Sequence, residues 1–256
     1  MKTNMVESDV HTQMNASFER LGIFLGGMRC GSTAINDYLK QHPEICVHTK
    51  KDNHFFSGDD NWKAGWDGYL EGWSHYDASQ HLVAFESTTH YTKYPLYKDT
   101  ASRIASAPYD LRLLYGVRGP IARIESHFIH NAGKGYYDPE DAEAREKLLR
   151  QAINVSNYEL QMQQYERFFS PAQLLIIVTD ELISSPSTVL AAVCEFLGVD
   201  PRFSFEQIPR RPRKFKHDHS RAKLTESERV TASEALREPT HRFEAAYQVT
   251  IWDGID

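Results

Sequence analysis

A short apolar run that ends in two glycines and reopens as a helix constrains this chain most. Leu21-Gly22-Ile23-Phe24-Leu25 runs into Gly26-Gly27-Met28-Arg29-Cys30-Gly31-Ser32-Thr33, and residues 33–40 carry helical spacing. A strand, a glycine-bearing turn and a helix in that order bring backbone N–H groups together at a helix N-terminus, which suits an anion. The segment has the frame GxxxxG followed by Ser-Thr. The lysine that grips the outer phosphates of a nucleoside triphosphate is missing, because Ser32 stands in its place. A cation sits inside the loop instead, as Arg29. The alternative is a tight strand–helix turn rich in small residues. The flanking elements and the internal arginine favour an anion site, and the missing lysine disfavours a triphosphate.

Further apolar runs at residues 82–85, 111–117 and 174–178 read as strands buried on both faces. They end at Glu86, Arg118 and Thr179-Asp180. Helical patterns separate them: residues 141–151, then Tyr158, Met162, Tyr165 and Phe169, then a stretch opened by Ser185-Pro186 and closed by Gly198. Strands alternating with helices predict an α/β fold: a P-loop-like, three-layer arrangement with a central, mostly parallel sheet flanked by helices. Ligands in such folds sit beyond the carboxyl ends of the strands, where Arg29, Glu86 and Arg118 fall. Residues 1–20 are polar and expected as a flexible N-terminal tail, and residues 21–256 as a single domain.

The chain has 256 residues and a formal net charge of -6, which argues against a broad nucleic-acid-binding surface. No run is long enough to span a bilayer and no apolar leader is present, so no membrane association and a cytoplasmic location are expected. Three cysteines, Cys30, Cys46 and Cys194, form no CxxC and fit a reducing compartment. His127 and His130, and His217 and His219, are spaced like partial metal sites but lack convincing further ligands, so no metal is expected.

Past the third strand, Arg118 is followed by Gly119, Pro120, Arg123, Ser126 and Phe128. Arg118 at a strand end and Ser126 in the next helix can both reach one phosphate. Taken singly, such arginines are more often surface ion-pair residues. A basic segment over residues 209–223 adds Arg210, Arg211, Arg213, Lys214, Lys216, Arg221 and Lys223; a solvated basic loop is its ordinary reading.

Together these segments resemble the sulfotransferases that use 3′-phosphoadenosine-5′-phosphosulfate (PAPS). Residues 25–34, with Leu39 and His42-Pro43-Glu44-Ile45, resemble that family's 5′-phosphosulfate loop, with Arg29 at the position of its lysine. The stretch from Arg118 to Phe128 resembles its 3′-phosphate motif, Arg-Asp-Pro-x-x-Arg-x-x-Ser-x-aromatic, with Gly119 in place of the usual Asp. Lys51-Asp52-Asn53-His54-Phe55-Phe56 resembles the Lys-Glu-x-His-Phe-Phe segment of the heparan-sulfate-type and bacterial branch. Phe85-Glu86-Ser87-Thr88-Thr89-His90-Tyr91 resembles its Glu-Lys-x-x-x-Tyr segment.

The resemblance implies PAPS as donor and its bisphosphate, PAP, as product, with no metal. Gly27, Met28, Arg29, Cys30, Gly31, Ser32 and Thr33 would hold the phosphosulfate. Arg118 and Ser126 would hold the 3′-phosphate, with Ser220 and Arg221 closing over it. The reaction would be direct in-line transfer of a sulfuryl group to a hydroxyl or amine. Glu86 would act as base, Arg29 on the leaving oxygen and Lys51 near the transferred group. His54 is the rival base and His90 a third, since an imidazole titrates in a suitable range. Trp62, Trp66, Trp73 and Tyr76 are read either as acceptor-pocket walls or as core. A small or medium natural-product acceptor is expected, with a glycan or glycolipid as the alternative. Rivals from other classes are a P-loop small-molecule kinase and a non-catalytic nucleotide-binding protein.

Overall fold

Five strands lie side by side in the order β2-β3-β1-β4-β5, and every pair is parallel. They are β1 (Arg20–Phe24), β2 (Ile45–Val47), β3 (Val83–Ser87), β4 (Asp110–Val117) and β5 (Leu174–Val178). The computed structural model describes residues 18–208 and 220–255. The basic run over residues 209–219, with His217 and His219, therefore lies outside the described residues. So does most of the expected tail. Phe18, placed in that tail by the sequence reading, is instead buried against Trp73, Tyr76 and Tyr109, so the folded unit begins before residue 21.

The helices in chain order are α1 (Ser32–Leu39), α2 (Asp59–Lys63), α3 (Asp67–Leu70), α4 (Thr100–Ala105) and α5 (Pro120–Gly133). They continue as α6 (Ala142–Ser156), α7 (Tyr158–Tyr165), α8 (Thr179–Ser184), α9 (Pro186–Leu197) and α10 (Glu226–Tyr247). Side chains of a strand alternate between faces, and both faces are covered here. Leu21, Ile23, Leu113 and Tyr115 pack with Tyr158, Met162, Tyr165 and Phe243 of α7 and α10. Phe24, Phe85 and Leu114 pack with Ile35, Leu39, Leu190, Val193 and Leu197 of α1 and α9. That double burial gives the three layers and explains why the strands read as continuous apolar runs.

β1 lies at the centre, with β3 on one side and β4 on the other. The chain therefore crosses over β1 between β3 and β4, and the loops after these three strands open into one crevice at the carboxyl edge.

Candidate active site

The loop after β1 is held as an extension of the sheet. Gly27 N–H donates to Gly116 O at 2.7 Å, and Gly116 N–H returns a bond to Gly26 O at 2.6 Å. No side chain larger than hydrogen fits at Gly116, because a Cβ there would sit 2.5 Å from Cys30 O. Gly31 occupies the N-cap of α1 with φ of 84° and no side-chain cap, which leaves the first N–H groups of the helix for a ligand. Arg29 also has a left-handed backbone, φ 71°, and its Nε donates to Ser126 Oγ at 3.2 Å. The two phosphate-binding segments predicted from sequence thus meet through these two side chains, which are 97 positions apart in the chain.

Arg118 follows β4 directly. Its carbonyl accepts from Tyr158 Oη at 2.9 Å, and its Nε has no hydrogen-bond partner among the described residues. Arg123 is wholly buried: it donates from Nε to Ser156 Oγ at 2.5 Å and from Nη2 to Ala152 O at 2.8 Å, bracing α5 on α6. Cys30 is buried beside Tyr158, and desolvation pushes its thiol pKa up, so it is a packing residue. Gly119, where the resembling motif has Asp, is the N-cap of α5. The carboxylate that meets the helix comes from Asp253, which accepts from Ile121 N–H at 2.9 Å and Ala122 N–H at 2.8 Å. A Cβ on Gly119 would lie 2.2 Å from Asp253 Oδ2.

In front of the loop lies a cavity of about 920 Å³. It is lined by Met28, Arg29, Ser32 and Thr33 of the loop and α1, and by His90, Lys93, Leu96, His127 and Tyr136 from other segments. Lys51 and Asp52 line it as well. Asp52 is the single carboxylate among the residues that line the cavity. Its backbone is left-handed, φ 54°. Oδ2 accepts from Lys51 Nζ at 2.7 Å, and Oδ1 accepts from Thr89 N–H at 2.9 Å and Thr89 Oγ1 at 3.0 Å. Burial alone raises its pKa, but the bonds from Lys51 and Thr89 outweigh burial and hold the carboxyl below its ordinary value.

Glu86, read from sequence as the base, does not line this cavity. It is fully buried and accepts from Tyr69 Oη at 2.7 Å, Asn53 Nδ2 at 2.5 Å and Thr88 Oγ1 at 3.0 Å, with Tyr91 Oη at 3.1 Å. The donors come from segments that only the fold brings together. The sequence reading placed a carboxylate at a strand end and had no access to its burial. His54 packs edge-on to His90 with ring centroids 3.8 Å apart, and only His90 of the two lines the cavity. Burial lowers both imidazole pKa values, that of His90 to about 3, so the His90 ring is neutral near pH 7 and weakly basic.

The other expectations fall elsewhere. Trp62, Trp66, Trp73 and Tyr76 pack with Phe18, Phe55 and Tyr69 in the core and do not line the cavity. Ser220 opens a single 3-10 turn, Ser220–Ala222, and the exposed Arg221 guanidinium lies 3.4 Å from Glu140. No group of three metal-ligating side chains occurs among the described residues. No described helix is long and apolar enough to cross a membrane. Asp52, which the sequence does not single out, lines the cavity and stands where the resembling segment has Glu, between Lys51 and His54.

Comparison with known proteins bears on the family and the fold. The family model described as sulfotransferase domain matches residues 23–242. Heparan sulfate glucosamine 3-O-sulfotransferase 5 of Mus musculus is 25% identical over 216 residues, which is 79% of this chain and 60% of that protein. The chain thus spans about 60% of that relative's length. Among solved structures, a sulfotransferase from Alicyclobacillus acidocaldarius has a TM-score of 0.72 at 23% identity, covering 90% of this chain and 96% of the other. Mouse sulfotransferase SULT7A1 complexed with PAP has a TM-score of 0.50 at 12% identity, covering 89% and 85%. At such identities the two structures speak to the fold.

Proposed function

Because the chain belongs to the sulfotransferase domain family, we propose that it moves a sulfuryl group from PAPS to a hydroxyl or amine, with Asp52 as general base. The observation that carries this assignment is that Asp52 is the single carboxylate in the cavity lining that also includes Arg29, Ser32 and Thr33 of the loop and first helix. The N–H groups of Gly31, Ser32 and Thr33 hold the 5′-phosphosulfate, and Arg118 with Ser126 holds the 3′-phosphate. As the acceptor oxygen or nitrogen forms its bond to sulfur, its proton passes to Asp52. The bond from sulfur to the bridging oxygen breaks, and its electron pair leaves on PAP beside Arg29. Atoms and charge balance without a metal. In the free site Lys51 neutralises Asp52. A sulfonate that draws Lys51 away strips Asp52 of this counter-ion and raises its basicity as the donor arrives.

For the acceptor, we favour a small or medium molecule with an apolar part. Leu96 and Tyr136, 70% and 71% exposed, are the most exposed large hydrophobic residues of the described chain, and both line the cavity. Solvent-facing apolar side chains at a cavity mouth suit an apolar acceptor body. A glycan acceptor is the second reading, supported by the mouse relative's name. The test is incubation with labelled PAPS and a panel of phenols, alcohols, amines and oligosaccharides, with products identified by mass. Asp52→Asn is expected to lower kcat by roughly 10²–10⁴-fold while PAP affinity stays within about twofold. Full activity in that variant would remove Asp52 as base. Phosphate transfer from ATP with none from PAPS would remove the donor.

A further inference from the structure

Glu86 is a carboxylate without access to the cavity, yet it is among the most heavily bonded side chains of the molecule. It lies on β3 opposite Ile23 of central β1, so its backbone is fixed by the sheet. Oε2 accepts from Asn53 Nδ2 and Thr88 Oγ1, and Oε1 accepts from Tyr69 Oη. Tyr91 Oη lies 3.1 Å from Oε1 and 3.1 Å from Asn53 Oδ1, and its one proton serves either. The orientation of the Asn53 amide is set independently, because its Oδ1 accepts from Phe55 N–H at 2.9 Å. That leaves Nδ2 facing Glu86.

Asn53 sits between two non-glycine residues in left-handed conformation, Asp52 at φ 54° and His54 at φ 61°. Such a turn is unfavourable for residues with a side chain and persists only where surrounding contacts over-determine it. Here the contacts are Asp52 N–H to Ser87 O at 2.9 Å, Thr89 to the Asp52 carboxylate, and Glu86 to Asn53.

We propose that Glu86 is a positioning residue: its ionised carboxylate clamps Asn53 and so holds Asp52 at the cavity. The proposal rests on the reading of Asp52 as base. All of the surrounding groups donate, so the clamp requires the carboxylate form. A protonated Glu86 has one acceptor site fewer and presents an O–H to a donor. Burial pushes its pKa up to about 7 despite the bonds from Tyr69, Asn53, Thr88 and Tyr91. Tyr69 and Tyr91 are the titratable groups facing it, and burial pushes both well above their ordinary range, so they remain donors. At the cavity, Asp52 titrates below its ordinary value and Lys93, lowered by burial, at about 8. On the acid side of neutrality Glu86 is the group of this set that changes state, while Lys93 titrates toward the alkaline end.

The test compares wild type, Glu86→Gln and Asn53→Ala, using PAPS with 2-naphthol and benzyl alcohol across about pH 5.5–8.5, together with backbone amide shifts of residues 52–55. Wild-type kcat is expected to fall roughly ten- to a hundredfold as pH drops through about 7, the scale of a small misplacement of a catalytic group. Glu86→Gln, which mimics the protonated form, should stay at the low level at every pH and converge with wild type at the acid end. PAP affinity should stay within about twofold. Asn53→Ala should cause a similar loss that does not multiply with that of Glu86→Gln. The amides of residues 52–54 should titrate near pH 7 in wild type and lose that titration in Glu86→Gln.

Activity of Glu86→Gln below detection at all pH values, with unchanged amide shifts, would make Glu86 the base and overturn the proposal. So would wild-type activity with an intact pH 7 limb. If wild type transfers nothing from PAPS, the transferase reading fails, while the amide titration still decides the clamp. Should Glu86→Gln not fold, the missing limb is sought in Asn53→Ala, and its persistence there overturns the clamp.

Discussion

Asp253 caps a helix whose own N-cap residue carries no side chain, and this exchange can be tested by moving the carboxylate back. Asp253 accepts two N–H groups in the first turn of α5, and the segment that carries it is already anchored. Glu244 Oε1 accepts from Ile251 N–H at 2.6 Å and Trp252 N–H at 2.7 Å, and Ser233 Oγ accepts from Ile255 N–H at 3.0 Å. Loss of an N-cap carboxylate costs about 1–2 kcal/mol. For a chain of this size that lowers Tm by roughly 2–8 °C, the effect expected of Asp253→Ala. Gly119→Asp alone should also destabilise, by about 1–3 kcal/mol, because the new Cβ would press on Asp253 at 2.2 Å. Combined, the two substitutions supply a carboxylate at a residue whose φ of -45° any L-residue adopts. The double variant should therefore be more stable than either single variant, with an interaction of about 1 kcal/mol or more in the cycle. Urea unfolding and calorimetric Tm on the four proteins measure it. Additive losses, or an Asp253→Ala variant within about 1 °C of wild type, would refute the reasoning. PAP affinity gives a second readout, since Arg118 immediately precedes the capped turn.

Arg118→Ala should weaken PAP binding by roughly ten- to a hundredfold, the loss of about 1.5–3 kcal/mol for a hydrogen bond to a charged group; an unchanged Kd by titration calorimetry would remove the 3′-phosphate assignment. Arg145 joins α6 to α10 through Glu228, at 2.6 and 3.0 Å, and also donates to the carbonyls of Arg221 and Lys223. Arg145→Ala should destabilise by about 1–2 kcal/mol, because a half-buried carboxylate loses two charge-assisted bonds and keeps the one from Thr225 N–H. Burial raises the Glu228 pKa, but the Arg145 bonds outweigh it and the net shift is downward. The stabilisation is thus present above the ordinary carboxylate range and is lost as pH falls. The stability gap between wild type and variant should narrow from about pH 5 to about pH 3, and a constant gap would contradict the ion-pair account.

What could be read from the chain depended on how local the cause was. β1, β3, β4 and β5 announce themselves as apolar runs because each is buried from both sides, and the donor loop because glycine, cation and helix start are contiguous. β2 escaped: Ile45-Cys46-Val47 is too short to show a period and pairs with β3 alone. Strand register fixed the address of Glu86 but not its surroundings, since Tyr69 and Asn53 reach it from 17 and 33 positions away. Asp52 was passed over for a related reason. Its approach to the cavity depends on a left-handed turn that no glycine marks in the sequence. The Asp253 cap, 131 and 132 positions from its helix, has no local signature at all.

The stitching of Gly26 and Gly27 to Gly116 bears on how a donor would bind. A phosphate loop that orders only around its ligand gives up part of its binding free energy as lost conformational entropy. Here β1 and β4 continue into the loop, and folding has already fixed Gly26 and Gly27, which lead into the helix N-terminus that a phosphosulfate would meet. Donor affinity then follows contacts more than ordering, and what adaptation binding requires falls to the other walls of the cavity. In such a molecule the donor half is a rigid die, and acceptor preference can be recut around it.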